Sequence, residues 1–129
     1  MNYLLDTHLL LWASTNHEKL PPDAAAVIAD RNNQLWMSVI SLWEVAIKAS
    51  QRKRDFPYEP EQLRIGLLIN GYEELKMESQ HVLALRKLPN VHADPFDRLL
   101  VAQAISEDML LLTADRQLSE YGKHVKLVR

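Results

Sequence analysis

The chain has no cysteine, only three glycines, and no run of 18 apolar residues in its 129 positions. Without cysteine there is no disulfide and no thiolate metal site. Gly66, Gly71 and Gly122 lie too far apart to build a phosphate-cradling glycine loop. No apolar run is long enough to cross a bilayer. The opening segment "MNYLLDTHLLLWA" is interrupted by Asp6 and His8 and has no basic stretch before it, which argues against a signal peptide. These absences together lead to the expectation of a cytoplasmic protein. A net charge of −2 brings no general attraction to nucleic acid, so any such binding must rest on a local basic patch. Lys48, Arg52, Lys53 and Arg54 form one candidate patch, although cations at a helix end also serve the helix dipole.

What is present fits one domain over residues 1–129, large enough for a real core, with 47% apolar and 25% charged residues. Short apolar runs alternate with helical patterns. Strands are expected at 2–6, 34–38, 73–77, 109–113 and 124–128. Helices are expected at 7–14, from Pro22 to about Asn32, and at 41–52, 61–70, 79–88 and 95–107, with a short helical turn at 116–121. This alternation predicts an α/β sandwich around a mostly parallel sheet. The unbroken apolar character of "YLL" and "MLLL" suits strands covered on both faces. In such sheets ligands bind beyond the carboxyl ends of the strands, where the strand order reverses.

Four carboxylates meet that positional test. Asp6 ends the first strand, and Asp115 follows the fourth in "LLLTADR". Glu44 is expected in the first turn of its helix, in a capping box with Ser41. Asp97 lies in the first turn of the helix opened by "HADPFDR", where Asp94 is a natural N-cap and Pro95 takes the first position. Each has a structural explanation alone. Together, four acidic groups from four segments would repel one another unless a cation joined them. Oxygen ligands without cysteine or a spaced histidine pair suit Mg²⁺ or Mn²⁺, one ion or two, and such ions act on phosphate esters. His8 could add a nitrogen ligand but reads more readily as a helix-start or edge residue, and His92 could assist without a partner at metal-binding spacing. His17, His81 and His124 read as surface residues. Trp12, Trp36 and Trp43 read as core, with base stacking as the minor alternative.

"LLDTHLLLWA", "SVISLWEVAIK", "HADPFDRLLVAQA" and "LLTADRQL", in this order, resemble the PIN-domain family, and within it the VapC-like toxins. The resemblance spans essentially the whole chain. It implies a parallel five-stranded sheet of order 3-2-1-4-5 sandwiched by helices and a metal-dependent ribonuclease. It implies that Asp6, Glu44, Asp97 and Asp115 form the catalytic, metal-holding site, with Thr113 as supporting hydroxyl and Asp94 as accessory at most. Lys48, Arg52 and Arg98 are the expected RNA contacts. The resemblance further implies a homodimer and a VapB-like antitoxin seated over the acidic cleft, with the helices near 9–13 and 61–69 offering its groove. Two other functions compete. One is a phosphohydrolase with Asp6 as nucleophile, disfavoured because Thr7 and His8 stand where a second carboxylate is wanted. The other is a non-catalytic binding module.

Overall fold

In the computed structural model, which describes residues 1–15, 17–51 and 56–129, five parallel strands form one sheet in the order β3-β2-β1-β4-β5. The strands are β1 (Asn2–Leu5), β2 (Gln34–Ser38), β3 (Glu73–Leu75), β4 (Leu110–Thr113) and β5 (Val125–Leu127). Six α-helices lie between them: α1 (Thr7–Thr15), α2 (Pro22–Ala29), α3 (Val39–Ser50), α4 (Pro60–Ile69), α5 (Ser79–Ala84) and α6 (Pro95–Glu107). The expected fold class and strand order are both observed. The basic residues Arg52, Lys53 and Arg54 lie outside the described residues.

The period-two pleat explains why the core is double. Tyr3 and Leu5 point to one face and Leu4 to the other; Leu112 and Leu111 divide the same way. One face meets Leu9 and Leu10 of α1 and Leu63 and Leu67 of α4. The opposite face meets Leu100, Val101 and Ala104 of α6. With both faces covered, β1 from Tyr3 to Leu5 and β4 from Leu110 to Leu112 are apolar, and Asp6 and Thr113 stand at the carboxyl edge.

Several boundaries differ from expectation. Helix α3 starts at Val39, not 41, because Ser38 is its N-cap and accepts from the Ile40 N–H at 2.9 Å. Ser41 is therefore inside the helix, buried, accepting from Thr7 Oγ1 at 2.9 Å, and Glu44 lies in the second turn, so the expected Ser41–Glu44 capping box does not form. Helix α2 stops at Ala29, well short of Asn32. Strand β3 ends at Leu75, where its pairing with Ser38 ends. The helix from 79 tightens into a 3₁₀ turn at Leu85–Lys87. Gly71 follows α4 with φ 89°, the left-handed position a helix stop of this kind asks of glycine.

Three side-chain placements are also corrected. His81 is fully buried rather than on the surface: its Nδ1 accepts from the Glu78 N–H and its Nε2 meets Glu107 at 2.7 Å. His124 is half-buried, with Nε2 3.2 Å from Asp108. Trp43 is 51% exposed and packs edge-on against Phe96, so it is not a core residue, whereas Trp12 and Trp36 pack against the two core clusters. Among the described residues no helix is long and apolar enough to cross a membrane.

Candidate metal and active site

Strand β1 ends at Leu5, and the backbone passes straight into α1, placing Asp6 at the junction. Its N–H remains in the sheet, donating to the Leu112 carbonyl at 3.0 Å. Its Oδ1 caps α1 by accepting from the Leu9 N–H at 2.9 Å. Its Oδ2 accepts from Thr113 Oγ1 at 2.5 Å, across the β1–β4 pair. Thr113 Oγ1 also accepts from the Asp115 N–H at 3.0 Å. One hydroxyl thus ties the first-strand aspartate to the aspartate after the fourth strand. Both flank the β1–β4 boundary, where the chain crosses from one half of the sheet to the other. Burial raises the Asp6 carboxyl above its ordinary range, against the lowering effect of its two hydrogen bonds, and the Asp115 charge adds to the rise.

Helix α6 supplies the next group. Asp94 Oδ1 accepts from the Phe96 and Asp97 N–H groups at 2.8 and 3.1 Å, and Pro95 takes the first helical position. Asp94 is fully engaged as the cap. The Asp97 carboxyl takes no part in that cap and lies near the carboxylates of Asp6 and Glu44. Burial is the main force pushing the Asp97 carboxyl up to about 7, followed by the negative charges of Asp94, Asp6 and Glu44, with His92 acting in the opposite sense. Three carboxylates, Asp94 from the cap of the same helix and Asp6 and Glu44 from two other segments, therefore act on Asp97 at once.

Glu44 arrives from α3 with its side chain only 8% exposed. Lys48, one turn on, meets Glu44 Oε2 at 3.1 Å and stands 5.9 Å from the centre of the Phe56 ring. The other oxygen, Glu44 Oε1, is buried with no hydrogen-bond partner in the structure. A buried carboxylate oxygen without a donor is costly. Among the described residues it shares this state only with the Tyr72 hydroxyl.

His92 joins the cluster from the loop before α6. Its Nδ1 accepts from the Asp94 N–H at 3.1 Å, which puts the ring proton on Nε2. That Nε2 lies 3.1 Å from Asp115 Oδ2 and 3.5 Å from Asp97 Oδ2. His92, Asp97 and Asp115 each offer an atom within 4.8 Å of the others. With Nδ1 occupied by a backbone N–H, the imidazole donates to Asp115, with Asp97 at the longer distance. Sequence spacing gave His92 no partner because both partners are brought to it by the fold, one from 23 residues away.

Asp115 is the most open member, with 41% of its side chain exposed; its Oδ1 caps the 3₁₀ turn at Arg116–Tyr121 by accepting from Gln117 N–H. Arg98, also expected near the substrate, donates through Nη1 to the Pro89 carbonyl at 3.1 Å and to the Tyr121 hydroxyl at 3.4 Å, so it ties down the loop leading to His92. His8 is exposed, with its ring 5.9 Å from that of Trp12. A buried polar network was not legible in the sequence. Gln103 of α6 accepts from Ser38 Oγ at 2.5 Å and contacts His81 Nδ1 at 3.3 Å, so α6 holds the N-cap of the helix that carries Glu44.

The donor set is oxygen-rich and anionic, and it contains a buried carboxylate oxygen with nothing to bind. Both features fit a hard divalent cation held by Asp6, Glu44, Asp97 and Asp115.

A model of the PIN domain matches residues 3–124. The chain belongs to the PIN domain family. Over 92% of its length this PIN domain is 31% identical to Ribonuclease VapC22 of Mycobacterium tuberculosis, of which it covers 90%. Among solved structures it is similar to VapBC2 from Rickettsia felis, bound to a DNA fragment from their promoter, with TM-score 0.70, 19% identity and full coverage of both chains. It is also similar to VapBC-1 from nontypeable Haemophilus influenzae, with TM-score 0.63, 23% identity and 98% coverage of each chain. At these identities the two structures speak for the fold.

Proposed function

We propose that this PIN domain is a metal-dependent endoribonuclease and the toxin of a toxin–antitoxin pair, arresting translation when free of its antitoxin. The observation that carries the proposal is the convergence of Asp6, Glu44, Asp97 and Asp115 at the carboxyl edge of the sheet, with Glu44 Oε1 buried and unpartnered. The relationship to a protein named a ribonuclease supports RNA as the substrate. A cytoplasmic place of action follows from that substrate.

The four carboxylates would hold one or two Mg²⁺ or Mn²⁺ ions. When bound, such a cation supplies activation of water and neutralises charge building on the phosphate. The chain's own groups prepare the site. Thr113 fixes the Asp6 carboxylate by donating to Oδ2, leaving Oδ1 on the α1 backbone. Asp94 holds the first turn of α6 so that Asp97 faces inward. His92 directs its Nε2–H at Asp115 and orients it, with Asp97 3.5 Å away. Lys48 neutralises one Glu44 oxygen and leaves the other for the cation.

A VapB-like antitoxin as partner is supported by the VapBC complexes that share the fold. The surface beside the ends of the two expected helices supports such a partner. A cleft of about 370 Å³ lies between α1 and α4, lined by Ser14, Leu63 and Gly66 among others. Nearby on α4, Ile65 and Ile69 are exposed at 55% and 78%, an apolar surface suited to a partner helix. A homodimer is proposed on the family relationship.

The test is incubation of the purified protein with total RNA, with Mg²⁺ or Mn²⁺ and with chelator, the cut sites being mapped by sequencing. Discrete cuts that need the metal and vanish in Asp6→Asn are expected. Intact RNA in every arm, or cuts unaffected by Asp6→Asn, would refute the proposal.

A further inference from the structure

A second cleft, of about 300 Å³, opens between α1 and α3 beside the carboxylates. Thr7 and Lys48 line it, the first next to Asp6 in the chain and the second paired with Glu44. Its walls are aromatic and cationic. Trp12 comes from α1, and Phe56 and Tyr58 come from the segment before α4, their rings edge-to-face at 5.1 Å. Lys48 Nζ stands 5.9 Å from the centre of the Phe56 ring, and the exposed Lys19 closes one side. Among the described residues, those lining this cleft include no carboxylate, although the chain as a whole is acidic.

We propose that this cleft is a nucleotide subsite, taking the base and flanking phosphate of the single-stranded RNA residue next to the scissile bond. The inference rests on the ribonuclease reading above. Three observations carry it. The cleft is at the small end of ligand pockets, the size for one nucleoside rather than a helix. Aromatic faces with lysines at the edge are what an unpaired base with its phosphate asks for, because any base can stack and the phosphate needs a cation. The cleft also meets the carboxylates at Thr7 and Lys48, so a nucleotide in it leaves its neighbouring phosphate at the metal-binding edge. The same lysines repel a basic peptide segment, which makes RNA the better occupant.

The test uses the full chain and a random-sequence single-stranded RNA carrying a fluorophore and a quencher at its ends. Wild type, Phe56→Ala and Lys19→Glu are compared in Mn²⁺ for kcat and KM, and for binding in an Asp6→Asn background. Phe56→Ala is expected to raise KM about tenfold, within the range a lost base–aromatic stack produces, with kcat nearly unchanged. Lys19→Glu is expected to raise KM and to reduce the salt dependence of binding by about one phosphate contact. Lys19 is on an exposed turn, so this variant decides the matter if Phe56→Ala fails to fold. Cleavage with KM untouched by Lys19→Glu removes the cleft while leaving the ribonuclease reading in place. The same holds if Phe56→Ala weakens antitoxin binding and not RNA binding, which assigns the cleft to a polypeptide. No cleavage by wild type removes both.

Discussion

Thr113 Oγ1 donates to Asp6 Oδ2 at 2.5 Å and accepts from the Asp115 N–H at 3.0 Å, so a single hydroxyl aligns two of the four clustered carboxylates. Thr113 is fully buried at the end of β4, and its removal cannot be made good by water. Thr113→Val is expected to weaken Mn²⁺ binding by about 10–100-fold, as loss of a partner behind a ligand does, and to cost about 1–3 kcal/mol of stability. Calorimetric titration and chemical denaturation check the two parts separately.

The two aspartates of "DPFD" should separate cleanly. Asp94→Ala removes a cap and is expected to cost about 1 kcal/mol, while Asp94→Ser keeps most of the stability. Asp97→Asn is expected to abolish RNA cleavage with the fold intact. Thermal unfolding and cleavage assays on the three variants would show loss of stability with only partial loss of activity in the first, and loss of activity without loss of stability in the last.

Asp97 also sets a pH dependence of the metal-free protein. Its carboxyl stands at about 7 in the folded chain, against 3.8 as its ordinary value. Between those values the folded state holds a proton that the unfolded state has released, so stability falls as pH rises from about 4 to about 7. Asp97→Asn removes its share of this slope and leaves that of Asp6, whose carboxyl is also raised. It is expected to raise stability at neutral pH without metal by about 0.5–2 kcal/mol, as relief of a destabilised site does. Denaturation at a series of pH values, in chelator, measures it.

The fold was legible because its strands are short, apolar and regularly spaced between helical patterns. Tyr3, Leu4 and Leu5 announce a strand covered on both sides, and Asp6 announces its end. The nearness of Asp6, Glu44 and Asp97 was legible because each falls after a strand or in the first half of a helix. What remained hidden depends on contacts between distant segments. Ser38 rather than Ser41 caps α3, because Ser38 Oγ also reaches Gln103, 65 residues on. His81 is buried because Glu107 comes up beside it from α6. Trp43 reads as apolar on its helix, yet among the described residues it stays 51% exposed.

The Ser38–Gln103–His81 network predicts an effect at a distance. Gln103→Leu leaves the Ser38 hydroxyl without its acceptor and removes one of the contacts of His81 in a fully buried setting, and is expected to cost about 1–3 kcal/mol. Because Ser38 begins the helix carrying Glu44, Mn²⁺ affinity should fall with it. Titration under conditions where the variant remains folded separates the second effect from the first.

The central claim is that four side chains from separate segments close on one divalent cation. Calorimetric titration of the full chain with Mn²⁺, alongside Asp6→Asn and Asp97→Asn, measures it directly. The expected result is saturable uptake by the wild type, weakened in each variant by more than the roughly 10–100-fold seen when only an outer partner is lost. No uptake by the wild type, or equal uptake in all three proteins, would contradict it.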